Sequence, residues 1–261
     1  MDSRLAGRSV LVTGASGGIG QAVARAFDAE GASLVLHFHR QAAAARRLAG
    51  EISSPCVILG ADLREEDQAE ALFRKALGSF PRLDAVVVNA GVWVEEPVPL
   101  HRMSLAQWES TLRADLTSAF FTCRAFLRHL AEVPRETASI VLIGSTAAMF
   151  GEEDHADYAA AKAALTHGLT STLKNEIVRL APHGRVNCVC PGWVATSMAA
   201  GALEDPAALK TATATVALGR VARPEDVARA VVFLSSERLA GHLSGVILPA
   251  DGGMEGRLVH N

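Results

Sequence analysis

Seven short runs rich in Val, Leu and Ile recur along the chain: Ser9–Val12, Leu34–Phe38, Cys56–Leu59, Ala85–Val88, Ile140–Ile143, Arg185–Cys190 and Val246–Leu248. They show little polar alternation, the pattern of strands covered on both faces and hence of a parallel sheet. Between them apolar residues return at helical spacing, as in Ile19, Val23 and Phe27 or Leu165, Leu169, Leu173 and Ile177. Strands alternating with helices, joined by right-handed crossovers, predict a doubly wound α/β domain: a seven-stranded parallel sheet with helices on both faces. No Pro/Gly/Ser-rich linker, repeat or low-complexity tract interrupts the 261 residues, so one domain spanning 1–261 is expected.

Composition narrows the function classes. Hydrophobic residues make up 49% but aromatics only 5%, so the core must be aliphatic. A net charge of −3 gives no global pull toward nucleic acid or anionic lipid. Cys56, Cys123, Cys188 and Cys190 are too scattered for a disulfide framework, as in a reducing cytosol. Cys188 and Cys190 share one face of a strand-like run and read as buried filler; no Cys/His spacing resembles a zinc site, so no metal is expected. The first residues lack the apolar core of a signal peptide. The longest uncharged run, Val186 to Leu203, is broken by Asn187, Pro191 and Gly192. A cytoplasmic protein without membrane or nucleic-acid partner is expected.

Two segments carry chemistry. The first strand runs into Thr13-Gly-Ala-Ser-Gly-Gly-Ile-Gly20 and then a helix. Glycines there let backbone N–H groups approach a pyrophosphate, and the helix start offers unpaired donors and a positive dipole end. A ligand-free strand-to-helix turn is the plain alternative. Tyr158, the only tyrosine, precedes Lys162 by one helical turn in a chain with 4 lysines. An ammonium beside a phenol favours the phenolate, which suits general acid–base work on an alcohol or carbonyl. A packed Tyr beside a surface Lys would look the same.

In joint order and spacing these motifs resemble the short-chain dehydrogenase/reductase family over essentially the whole chain. The resemblance rests on Thr13-Gly-x-x-x-Gly-Ile-Gly20, Asp62, Asn89-Ala-Gly91, Ser145, Tyr158-x-x-x-Lys162 and Pro191-Gly-x-x-x-Thr196. It implies a Rossmann fold and hydride transfer between NAD(P)(H) and a small carbonyl or alcohol substrate. Tyr158 would pass the proton, Ser145 would hydrogen-bond the substrate oxygen, and Lys162 would hold the nicotinamide ribose and depress the Tyr158 pKa. Gly14, Ser16, Gly18, Ile19 and Gly20 would cradle the pyrophosphate, and Asp62 and Leu63 would border the adenine. Asn89, Ala90 and Gly91 would line the adenosine ribose, and Val194 and Thr196 would hold the carboxamide.

One position departs from the family: Asp115 stands where an Asn usually orders a water that feeds protons to the lysine. An ionised carboxylate accepts but cannot donate, and its charge would raise the Lys162 pKa. The 3-oxoacyl-(acyl carrier protein) reductases are the nearest flavour, with an acyl carrier protein as a candidate partner and Arg179 as its candidate contact; a solvated helix face is the plain alternative for Arg179. Sugar, steroid or other alcohol dehydrogenases, or a nucleotide sensor without turnover, are the alternatives. NADP(H) is favoured, with NAD(H) left open: no carboxylate occurs from Ser33 to Gln41, Phe38 takes the place of the acid that binds a ribose 2′-hydroxyl, and His39 and Arg40 follow. The family also implies a homotetramer built on the helices Ser104–Leu130 and Ala156–Leu180.

Several other residues bear on the site. A substrate lid is expected over about 193–220. Trp93 and Trp193 are expected to wall the site, and Trp108 to pack its helix. Asp154, His155 and Asp157 read as a polar loop, with His155 near the substrate. His37 reads as solvated or near the adenosine.

Overall fold

The computed structural model describes residues 2–201 and 206–254. Its strands are β1 (Ser9–Val12), β2 (Ser33–Phe38), β3 (Cys56–Gly60), β4 (Ala85–Val88), β5 (Ser139–Ile143), β6 (Arg185–Pro191) and β7 (Ile247–Ala250). All pairings are parallel and the order is β3-β2-β1-β4-β5-β6-β7, the predicted doubly wound sheet. Strand order reverses between β1 and β4, which opens a crevice at their carboxyl ends.

Alternate strand residues face opposite layers, and each layer closes a separate aliphatic core. On one face α1 (Gly18–Ala29), α2 (Ala42–Glu51) and α10 (Pro224–Ser235) bury Val23, Phe27, Leu48, Val231 and Leu234 against Val10, Val12, Leu34, Val87 and Val141. On the other, α3 (Glu66–Ser79) and two long helical rods bury Leu72, Phe73, Phe126, Leu165 and Ile177 against Leu11, Val86, Ile140, Leu142 and Val186. Among the described residues no helix is long and apolar enough to cross a membrane.

Each rod contains one wide turn that periodicity did not reveal. The first is α4 (Leu105–Leu112), a π turn over Arg113–Thr117, and α5 (Ser118–Glu132). After a short α6 (Ala147–Phe150) comes the second, α7 (Ala156–Ala163), a π turn over Ala164–Leu169, and α8 (Thr170–Ile177). The second turn sets Thr166 against Gly144, where an added Cβ would sit 2.5 Å from Thr166 Oγ1 and 2.7 Å from Cys190 Sγ. Only glycine fits between β5 and the helix there. Cys188 and Cys190 are buried on this face as expected, with their sulfurs 3.8 Å apart.

The last strand begins later than the expected Val246. The Val246 N–H is taken by Asn187 Oδ1 at 2.9 Å, and Ile247 is the first residue paired with Cys188. A helix over Pro206–Thr213, α9, lies within the expected lid; residues 202–205 of that lid fall outside the described residues.

Candidate active site

The crevice is assembled from strand ends. Thr13, fully buried after β1, donates from Oγ1 to Val87 O and accepts the N–H groups of Asn89 and Ala90 at 2.9 and 3.0 Å. Asn89 Nδ2 returns bonds to Thr13 O and Gly14 O. Asn89 lines the cleft as expected, but its amide is committed to bracing the glycine loop. His37 braces the other side. Its Nδ1 accepts the Gly14 N–H at 3.1 Å, so its Nε2–H donates to Ala61 O at 3.0 Å. That corrects the expectation of a solvated His37, which is 1% exposed, although the residue does border the cleft near His39 and Asp62. Burial holds its pKa down to about 4.

The loop so held fits a dinucleotide pyrophosphate. Gly14 has φ +64°, and a Cβ on Gly20 would lie 2.2 Å from Gly14 O. On Gly18 it would strike Thr196 Cγ2 at 2.6 Å, so Thr196 closes over the start of α1. No side chain caps that helix start, which leaves its first N–H groups for an anion. From here a cleft of about 770 Å³ runs to Ser145, Tyr158 and Lys162, and it is also lined by Ser16, Ile19, Asn89, Ala90, Gly91, Val194 and Thr196.

At one end lie His39, Arg40, Asp62, Leu63 and Arg64. Arg64 grips Asp62 through Nε and Nη2 at 2.9 and 2.6 Å, and His39 Nε2 stands 3.4 Å away. The Arg64 bonds hold the Asp62 carboxyl down to about 2. Arg40 is exposed, and among the described residues its guanidinium has no ion pair. Phe38 lays its ring over Gly60, 2.9 Å from where a Cβ would be.

The reacting centre sits where β5 meets α7. Asp157, 1% exposed, accepts from Thr111 Oγ1 at 2.7 Å and from the Tyr158 N–H at 2.9 Å, pinning α7 to α4. It belongs to helix packing, not to a polar loop. Lys162 Nζ lies 5.5 Å from the Tyr158 ring centroid, donates to Ile143 O at 3.2 Å and stands 3.4 Å from Asp115 Oδ2. Asp115 projects from the π turn of the first rod, fully buried, and its Oδ1 accepts the Val92 N–H at 2.7 Å. The family's usual amide is thus replaced by a direct carboxylate–ammonium pair.

That pair alters the expected titration. Burial is the largest influence on the Tyr158 phenol and pushes its pKa up; Lys162 and the Ser145 hydroxyl pull the other way, while Asp115 and Glu152 add to the rise. Lys162 thus lowers the Tyr158 pKa as expected, but burial outweighs it and the net shift is upward rather than toward neutrality. Burial also opposes the charge on Lys162, but Asp115 and Tyr158 outweigh it and the ammonium pKa rises.

At the far end Trp93 and Trp193 both line the cleft, as expected. His155 stacks behind Trp93 at 5.1 Å and binds Val94 O at 3.0 Å, so it buttresses this wall. Glu152, also in the lining, was not singled out from the sequence. It lies in an irregular loop where neither periodicity nor a motif marks it, and only its place six residues before Tyr158 offered a signal.

The chain is similar to known proteins over nearly its whole length. A family model described as enoyl-(acyl carrier protein) reductase matches residues 14–255. The cis-4-hydroxycyclohexanecarboxylate dehydrogenase of Sinomonas cyclohexanicum is 35% identical over 97% of this chain and 98% of its own. The 3beta-hydroxysteroid dehydrogenase 1 of Eggerthella lenta is 34% identical over 96% and 94%. A 3-oxoacyl-(acyl-carrier-protein) reductase of Synechocystis sp. is 32% identical over 96% and 98%. The crystal structure of gox2181 aligns with a TM-score of 0.90 over 97% of each chain at 26% identity.

Proposed function

The chain belongs to the short-chain dehydrogenase/reductase family of oxidoreductases, and from that premise we propose that it interconverts a ketone and a secondary alcohol with NADP(H) as the favoured cofactor. The observation that carries this reading is the continuity of one cleft from the uncapped glycine loop to Ser145, Tyr158 and Lys162. The nicotinamide, when bound, supplies or accepts the hydride.

Each protein group then has a defined task. The glycine loop and the start of α1 bind the pyrophosphate. Ser145 hydrogen-bonds the substrate oxygen and fixes it against Tyr158, whose phenol gives up its proton in reduction and whose phenolate accepts one in oxidation. The Lys162 ammonium stabilises the phenolate whenever it forms, and Asp115 keeps Lys162 charged and aimed. Val194 and Thr196 border the carboxamide, and the described parts of the lid segment, 193–201 and 206–220, cover the substrate.

NADP(H) preference is supported by Arg40, which lies beside His39, has no ion pair among the described residues and can grip a 2′-phosphate bidentately. A 3-oxoacyl thioester is the second reading, drawn from the reductase relatives. Its carrier contact at Arg179 is not favoured: that residue follows α8, roughly 30 Å along the rod from Tyr158, toward the amino end of β6.

The test is cofactor turnover with a panel of ketones and secondary alcohols. Tyr158→Phe is expected to lose about 10²–10⁴-fold in kcat while cofactor binding stays within a few-fold. NADPH is expected to exceed NADH in kcat/KM, with Arg40→Ala narrowing the ratio. Tight cofactor binding without turnover across the panel would reject the catalytic reading. A wild type favouring NADH would reject the cofactor assignment.

A further inference from the structure

The reacting groups define the bond that is changed, and the far end of the cleft defines the molecule that carries it. Two of the chain's three tryptophans meet there, Trp93 and Trp193, with centroids 5.8 Å apart and planes at 83°. A right-angled pair of indoles forms a flat-walled corner, which suits the rigid C–H faces of a saturated ring. Beside it stands the Glu152 carboxylate. Its Oε1 accepts from Trp93 Nε1 at 2.9 Å and lies 3.6 Å from His155 Nδ1.

Both protein contacts fall on Oε1; among the described residues Oε2 makes no hydrogen bond. Glu152 lines the same cleft as Ser145 and Tyr158. Among the described residues no basic side chain of the lining reaches Oε2. Lys162 is engaged by Asp115 and Ile143 O, while Arg40 and Arg64 belong to the end near Asp62.

We propose that Glu152 determines specificity by accepting a hydrogen bond from a second hydroxyl on an uncharged saturated-ring alcohol, a cyclic diol or polyol seated against Trp93 and Trp193. This rests on the oxidoreductase reading above. A carboxylate with an unused oxygen rewards a donor and penalises both an anion, by repulsion, and an alkyl group, by stranding the oxygen without a partner. A site built to bond a hydroxyl rejects the analogue that lacks it more strongly than an apolar pocket rejects an extra methylene.

The experiment compares oxidation of cyclohexanol, the 1,2-, 1,3- and 1,4-cyclohexanediols and 4-hydroxycyclohexanecarboxylate by wild type, Glu152→Gln and Glu152→Ala. At least one diol is expected to exceed cyclohexanol by about tenfold to a hundredfold in kcat/KM, as a charge-assisted hydrogen bond allows. Glu152→Ala should collapse that ratio toward unity and improve the carboxylate relative to the diol, with Glu152→Gln between. A wild type that prefers cyclohexanol or the carboxylate, or a ratio unchanged in Glu152→Ala, overturns the proposal.

A binding readout separates this from failure of the catalytic reading. In a Trp108→Phe background saturated with NADPH, the diol should quench tryptophan fluorescence saturably, and Glu152→Ala should abolish the effect. If no alcohol is turned over, the oxidoreductase reading fails, yet quenching that depends on Glu152 still supports the site. Absence of quenching, or quenching indifferent to Glu152, rejects it.

Discussion

Tyr158 enters the cleft with its phenol pushed above the usual range by burial, so at neutral pH it carries the proton that ketone reduction consumes. Alcohol oxidation needs the phenolate and should therefore rise with pH. Asp115 tunes that limb directly. Its charge raises both the Tyr158 and the Lys162 pKa, and among the described residues it is the only carboxylate paired with the lysine. Asp115→Asn removes the charge but can still accept the Val92 N–H through its amide oxygen. The oxidation limb is then expected to shift to lower pH, with Lys162 losing its proton more readily as well. A pH profile of kcat/KM for alcohol oxidation, wild type against Asp115→Asn, is the check. A limb at the same pH would show that Asp115 does not act on Tyr158. The unusual residue was visible in the sequence as a departure at one motif position. Its geometry was not, because a buried ion pair across two rods depends on packing that neither rod encodes alone.

Among the elements, strands were the most legible, because burial on both faces leaves the continuous aliphatic runs from Ser9 to Val12 and from Ala85 to Val88. The wide turns at Arg113–Thr117 and Ala164–Leu169 were hidden, since apolar spacing continues through them. The link between β2 and the glycine loop was hidden too: nothing in Leu36-His-Phe-His-Arg40 tells which histidine turns inward. His37 does, and it accepts the Gly14 N–H only while neutral. Its pKa falls from an ordinary 6.5 to about 4 on folding. The unfolded chain therefore binds the proton more readily between those values. The stability His37 contributes is complete above pH 6.5 and is lost as pH falls through about 4. The full difference is roughly 3 kcal/mol at about 1.4 kcal/mol per unit. Denaturation midpoints followed from pH 7 to 4 should fall less steeply for His37→Gln than for wild type, and dinucleotide affinity should follow. Parallel curves would remove His37 from the account.

For the molecule as a whole, the two rods leave apolar side chains that no element among the described residues covers. Leu105 is 69% exposed, Phe120 43% and Val178 43%, although all three lie on or beside helices whose opposite faces are buried. Phe120 packs against its neighbour Phe121 and beneath the Arg124 guanidinium, whose centre lies 4.8 Å from the ring. A helix that presents large apolar groups on both sides is placed to bury the second side against another copy, and self-complementary contacts generate closed symmetric assemblies. The expected solution state is a homotetramer of 27.4 kDa chains, with the Leu105–Glu132 rod in one of its two-fold contacts. Light scattering should return four chain masses for wild type. Phe120→Asp, which places a charge at the centre of that face, should lower the mass to two chains or one. The glycine loop and the Tyr158–Lys162 pair lie at the strand ends, so the dissociated variant should still bind the dinucleotide. A monomeric wild type would show that the exposed faces are tolerated by solvent, and an unaltered mass in Phe120→Asp would move the contact to the Ala156–Ile177 rod.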